Sequence, residues 1–178
     1  MPVAGPTLTA ASAASMLVAS SPAAGQHRYT LPADQLKIGD KLSLNAQGII
    51  SCAVTTPGTA RFDLRFGSVV VFDSLALNLN TVVKSNVPWW LDVELTVRGI
   101  GVTTAATLWG QGRFMSEAVI ASPLPAVGGN GVLNCPVASL AVSAGFDTTV
   151  ANLVDSFFTQ TVATGSMTCE MFELILKT

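Results

Sequence analysis

The chain has 178 residues, room for one domain with a real core, yet only 11% are charged, against roughly 25% in a typical soluble domain. Nine Lys and Arg against eleven Asp and Glu leave a net charge of −2, which provides no basic field for nucleic acid or anionic lipid. One His and three Cys exclude the familiar multi-ligand zinc sites, and no run nears the ~20 apolar residues of a membrane span.

Residues 1–28 carry no charge before Arg28 and are rich in Ala, Ser and Pro. The start, Met1-Pro2-Val3-Ala4-Gly5, lacks the positive residues of a secretory signal. Alanines between Thr9 and Val18 favour a short helix with Thr9 as its cap. Pro2, Pro6 and Pro22 fix extended backbone on either side. The segment reads as an arm that orders against a partner, with Val3, Leu8, Met16, Leu17 and Val18 as its apolar anchors; the other reading is a mobile tail.

From Tyr29 onward the hydrophobic period is two. In Trp90–Arg98, Leu91, Val93, Leu95 and Val97 point one way and Asp92, Glu94, Thr96 and Arg98 the other. Phe62, Leu64 and Phe66 alternate likewise in Arg61–Phe66. Lys41–Asn45, Ile49–Val54, Ser68–Phe72, Thr107–Phe114, Leu153–Thr161 and Met167–Leu176 complete the set. The last is apolar on both faces near its end, as a central or interface strand is, and Phe172 and Leu174 are taken as subunit-interface candidates with Trp89 and Trp90. Turn signals stand at Gly39-Asp40, Gln47-Gly48, Pro57-Gly58, Asn86-Val87-Pro88 and Gly128–Gly131, and Gly165-Ser166 is expected to close a final hairpin. Ser122–Ala144 reads as a long loop with a short strand at Ala138–Val142. Many short strands without an amphipathic helix mean a sandwich or barrel. The organisation expected is an arm, 1–28, and a β domain, 29–178.

Chemistry-bearing groups are sparse. His27, the sole imidazole, sits at the arm–body junction and reads as a solvated residue rather than a catalytic base. Asp92 and Glu94 share a strand face, a spacing that could suit glycoside hydrolysis, but a salt-bridged solvent face is the commoner meaning. Asp63 between Arg61 and Arg65 reads as charge pairing. Cys52 and Cys169 alternate with apolar residues and read as small buried hydrophobes, while Cys135 precedes Pro136 in the long loop. One disulfide is compatible with the count, but no framework is written in it. Adjacent Trp89 and Trp90 must point to opposite faces, so one lies off the core face, as an inter-subunit or inter-sheet anchor or, alternatively, a sugar-stacking ring. No catalytic, cofactor or metal residues are assigned, and the chain reads as a non-enzyme.

The stretch Leu36-Lys37-Ile38-Gly39-Asp40-Lys41-Leu42-Ser43-Leu44, then Gly48-Ile49-Ile50-Ser51, then Thr56–Gly67, followed by Trp89–Arg98 and closing on Phe172-Glu173-Leu174-Ile175-Leu176, resembles small all-β virion proteins of tailed bacteriophages. The resemblance spans about residues 28–176 and is one of strands and turns. It implies an antiparallel jelly-roll β-sandwich, similar to the tumour-necrosis-factor-like roll, that trimerises. Proteins of this kind serve as capsid decoration (cement) proteins, head fibres or tail attachments, and the resemblance does not decide among them; the reading taken here is a cement protein on the capsid exterior, assembled in a bacterial cytoplasm, with itself and the major capsid protein as partners and, from the composition, neither nucleic acid nor membrane. The low charge accords with a surface covered by other subunits, or with a neutral, hydroxyl-rich β surface. In the cement reading the arm spreads over neighbouring capsid subunits. The alternative is a head-fibre or tail module that binds a cell-surface glycan through exposed loops such as Ser122–Asn134.

Overall fold

A computed structural model describes residues 4–18, 28–53, 56–120, 132–139 and 142–178. Their strands are β1 (Ala14–Ser15), β2 (Tyr29–Leu31), β3 (Lys41–Cys52), β4 (Thr59–Phe66), β5 (Val69–Asp73), β6 (Leu77–Asn78), β7 (Lys84–Gly99), β8 (Thr107–Ser116), β9 (Val132–Cys135), β10 (Asn152–Gln160) and β11 (Ser166–Lys177). They form two antiparallel sheets. Sheet A runs β11-β3-β7-β8-β9, and sheet B runs β1-β10-β4-β5, with β2 also on β10 and β6 on β4. The expected all-β sandwich is present. Its orders set β4 beside β5 and β7 beside β8 as sequence-adjacent hairpins, and they do not establish the jelly-roll winding that the resemblance implies.

The period-two pattern explains the packing. Leu91, Val93, Leu95 and Val97 of β7 and Phe62, Leu64 and Phe66 of β4 are all buried between the sheets, as their alternation predicts. The centre is an aromatic cluster fed from both layers. Phe62 packs against Phe158 of its own sheet at 5.3 Å and against Trp89 and Phe114 of the facing sheet at 5.2 and 4.9 Å between ring centroids.

Several local readings are corrected. Gln47-Gly48 is no turn: β3 runs straight through it as one strand of 12 residues. Gly48 stands there because β11 closes on it at the Cys169/Met171 irregularity, and a Cβ would collide with the Thr168 carbonyl oxygen. Asn86-Val87-Pro88 lies inside β7. β8 begins to pair only at Trp89, so Pro88 has a strand neighbour on one side alone, where proline is tolerated. Gly165-Ser166 does not close a hairpin, because β10 and β11 belong to different sheets and the connection crosses the sandwich. Cys135 lies in β9 rather than in a loop. Among the described residues, Val142 forms only an isolated bridge with Trp109 where a short strand was expected.

The largest correction concerns the amino-terminal segment. Residues 9–18 form no helix. The Gly5 N–H donates to the Cys169 carbonyl, and Leu8 bridges Met167, both on β11. The chain then crosses to sheet B, where β1 pairs with Phe157 and Phe158 of β10. Met16 and Leu17 are 0% and 2% exposed, and Met16 belongs to the central core. Ser15 Oγ donates to Asp155 Oδ1 at 2.6 Å, and Arg28 Nε lies 2.9 Å from Asp155 Oδ2 without aiming its N–H at it. Burial pushes the Asp155 carboxyl up, opposed by the Ser15 hydrogen bond and the Arg28 charge. Gly5–Val18 is thus a strap across one side of the chain's own sandwich, with Met16 and Leu17 buried and Leu8 packed against the core.

Candidate functional site

The outer faces of the two sheets differ in kind. On sheet B, the outward residues pair as charges. Arg61 is bidentate to Asp73, and Arg65 Nε donates to Asp63 Oδ1 at 2.7 Å and stacks its guanidinium 3.9 Å over the Phe157 ring. This is the charge pairing that the Arg61-Asp63-Arg65 spacing suggests.

Sheet A sets its charges among amides, hydroxyls and aromatic rings. The register places Gln47, Trp90 and Met115 in one row, Asn45, Asp92 and Arg113 in the next, and Ser43, Glu94 and Gln111 in the third. Gln47 Nε2 donates to Asn45 Oδ1 at 3.1 Å, Asn45 Nδ2 donates to Asp92 Oδ1, and Arg113 Nε donates to Asp92 Oδ2 at 3.2 Å. Ser43 Oγ and Lys177 Nζ donate to Glu94 Oε1 at 2.6 and 3.2 Å. The Ser43 hydrogen bond, followed by the Lys177 contact, holds the Glu94 carboxyl below its ordinary value. The salt bridging expected of this face therefore exists, with Arg113 and Lys177 as the partners; Arg98 instead places its guanidinium 5.7 Å from the Trp109 ring centroid.

Ser43, Asn45, Asp92, Glu94, Gln111 and Arg113 line an open depression of about 770 Å³, walled at one end by Asn134 of β9 and by Pro136 and Ala138 after it. Its size falls within the range of ligand sites. Trp90 is 37% exposed and Trp109 half-buried, both on this face. Trp109 stands opposite Thr96, six positions along β7 from Trp90, so the two tryptophan positions flank the polar rows with about 20 Å of backbone between their rows. No group of three or more His, Cys, Asp or Glu that could hold a metal occurs among the described residues.

The site residues expected from sequence are dispersed. Trp89 and Trp90 do point opposite ways, but Trp89 is fully buried, with its indole N–H donating to the Ile49 carbonyl, and so presents nothing to another subunit. Trp90 alone reaches the surface. Phe172 and Leu174 are half-buried on β11 at the edge of sheet A. Met16 and Leu17 are spent in the core, Leu8 packs against it, and the Val18 carbonyl accepts from the Arg28 N–H. Met16 and Leu17 are thus unavailable as capsid contacts while the strap is docked. Val3, His27 and most of the 122–134 loop lie outside the described residues. Sequence reasoning missed Ser43, Asn45, Gln47, Gln111, Arg113 and Asn134. Their signal is the polar half of the alternation in β3 and β8, which gains meaning only when the register sets the strands side by side.

No family model matches the sequence, and no curated protein does. Among solved structures, the CBM2 module of the evolved Dit of Lactobacillus casei BL23 phage J-1 is similar over 82% of this chain and 71% of that chain, at 11% identity and a TM-score of 0.21. A likeness of that degree carries no argument about this chain.

Proposed function

We propose that this chain is a non-enzymatic phage virion protein that works by adhesion, and that the outer face of sheet A binds a neutral cell-surface glycan. The observation that carries the reading is the row of amide, carboxylate and guanidinium groups bracketed by Trp90 and Trp109. Planar polar side chains fixed to one another match the hydroxyls of a sugar without reorganising, and an exposed indole offers an apolar ring face to the sugar's C–H face. The carboxylates serve as acceptors.

The test is glycan-array binding followed by calorimetry on the best envelope polysaccharide, with Trp90→Ala, Asn45→Ala and Trp109→Ala as variants. Each is expected to weaken binding by about tenfold or more, which corresponds to about 1.4 kcal/mol. Arg61→Ala, on the opposite sheet, leaves binding intact. No glycan retained at millimolar concentration, or a Trp90→Ala protein that binds like the parent, sinks the proposal.

The capsid-decoration reading, a homotrimer on the major capsid protein, is favoured by one observation: exposed Met171 and Ile175 and half-buried Phe172 and Leu174 leave an apolar rim on β11. Stapling by Met16 and Leu17 would require the strap to leave its own core. A trimer that sediments with empty capsid shells supports this reading, and a protein that ignores them refutes it.

A further inference from the structure

The geometry points to the free edge of β11 as the docking site for a second copy of this chain, paired antiparallel about a two-fold axis through Ile175. The first half of β11 is covered on that side by the strap, through Gly5 at Cys169 and Leu8 at Met167. Beyond it, no described strand pairs with Met171–Lys177 on the side away from β3. Such an edge is a template for another strand, and proteins normally shield it. Here it alternates half-buried Phe172, Leu174 and Leu176 toward the sandwich interior with exposed Met171, Glu173, Ile175 and Lys177 on the outer face.

Charge selects the register and the partner. A two-fold axis normal to the sheet keeps outer residues opposite outer residues, as antiparallel pairing requires. Centring on Glu173 sets two carboxylates against each other. Centring on Leu174 sets Glu173 against Ile175 and Met171 against Lys177. Centring on Leu176 sets Ile175 against Lys177. Centring on Ile175 sets Glu173 opposite the partner's Lys177, twice by symmetry, and Ile175 opposite itself. Within one chain Lys177 stands across from Lys41 of β3 and donates one N–H to Glu94 at 3.2 Å, leaving its ammonium further donors for the arriving Glu173 of the partner subunit. On the inner face Leu174 then lies opposite the partner's Leu176. These leucines flank an apolar groove of about 150 Å³ between the sheets, lined also by Tyr29, Leu42, Phe66 and Val154, and the added strand covers its mouth.

The two five-stranded sheets A become one, with both outer faces on the same side of the dimer. Only this last consequence rests on the glycan reading: two copies of the site side by side give avidity for a polymeric ligand.

The experiment is sedimentation of the full chain, without glycan, over a wide concentration range. The parent is expected to dimerise. Glu173→Lys, at an exposed position, sets like charges opposite each other and weakens the dimer by about tenfold or more. Combining Glu173→Lys with Lys177→Glu restores it, because the swap preserves the pairing across the axis. Ile175→Lys dissociates the dimer alone, by setting two ammonium groups together at the axis. Thermal unfolding confirms that each variant is folded. A parent that stays monomeric, a trimer, or a dimer indifferent to the charge swap overturns the proposal. Glycan binding by the monomeric variant is read separately: if it persists at single-site strength, the pairing and the binding face stand or fall independently.

Discussion

Replacing Met16 by Ala tests whether the amino-terminal strap is part of the fold or an arm held out for a partner. Met16 is 0% exposed, packs in the central cluster, and its N–H donates to the Ser156 carbonyl at 2.8 Å. The backbone bond survives the substitution; the thioether side chain does not. Loss of its buried atoms removes roughly 2 kcal/mol of transfer free energy. The cavity left among residues fixed by two sheets adds about 1 kcal/mol, for a total of about 3, inside the range for Met→Ala in cores. With a urea m-value of about 2 kcal/mol/M, the unfolding midpoint falls by about 1.5 M, and the melting temperature by about 6–12 °C. The assay is equilibrium urea unfolding followed by tryptophan fluorescence, which reports on buried Trp89. A shift under about 0.5 kcal/mol, the size of a surface change, would refute the docked strap and return Met16 to the pool of partner contacts. Leu17→Ala, at 2% exposure, is the internal replicate.

Glycan binding and the local stability around Glu94 depend on pH with a fixed sign. Its folded pKa is depressed, so the Ser43 and Lys177 contacts are fully present above the ordinary value of 4.5 and are lost as pH falls through the lower folded value. Binding measured down that range declines, and Glu94→Gln flattens the profile. Gly48→Ala forces the β3 and β11 backbones apart at Thr168 and is expected to cost about 1–3 kcal/mol or more by chemical denaturation; an unchanged midpoint would disprove the close approach. Burial pushes the Cys135 and Cys169 thiols up to about 12, so both resist a thiol reagent at pH 8 in the native protein and react on unfolding; rapid native labelling of either would contradict their burial.

The strands were legible because burial on one face imposes a period of two on the chain, and Leu91 to Val97 and Phe62 to Phe66 carry it without interruption. What failed were positions where a nonlocal neighbour outweighs local chemistry. Gly48 looks like a turn residue, but it is a strand residue beside the β11 backbone. Pro88 looks like a breaker, but it lies beyond the end of β8, whose last residue, Ser116, pairs with Trp89. The Ala-rich stretch before Val18 has helix propensity worth tenths of a kcal/mol per residue, and burying Met16 and Leu17 with β1 paired to β10 outweighs it. The candidate site was half legible. Asp92, Glu94 and Trp90 stood out on one strand, but their partners on β3 and β8 are fixed by register, which no single strand encodes.

The contrast between the two outer faces says which one is built to meet a ligand. Sheet B spends its guanidinium groups on carboxylates of the same sheet: Arg61 on Asp73, and Arg65 on Asp63 and the Phe157 ring. Both carboxylates are taken up within the sheet, Asp63 itself buried, and the pairs leave little donor capacity to offer. Sheet A ties its groups together through single contacts. Arg113 gives Asp92 only its Nε, and its side chain is 62% exposed, so its terminal nitrogens remain open to a ligand hydroxyl. Glu94 takes both described donors on Oε1, leaving Oε2 as an acceptor among the described contacts. A face arranged in this way is held by hydrogen bonds among its own groups while Arg113 and Glu94 still present donors and an acceptor outward, an arrangement that binds polar ligands at low entropic cost. On this open face Arg113 and Glu94 keep hydrogen-bonding capacity beyond the contacts that fix them, in rows flanked by two tryptophans, a recognition chemistry that the sandwich does not need in order to fold.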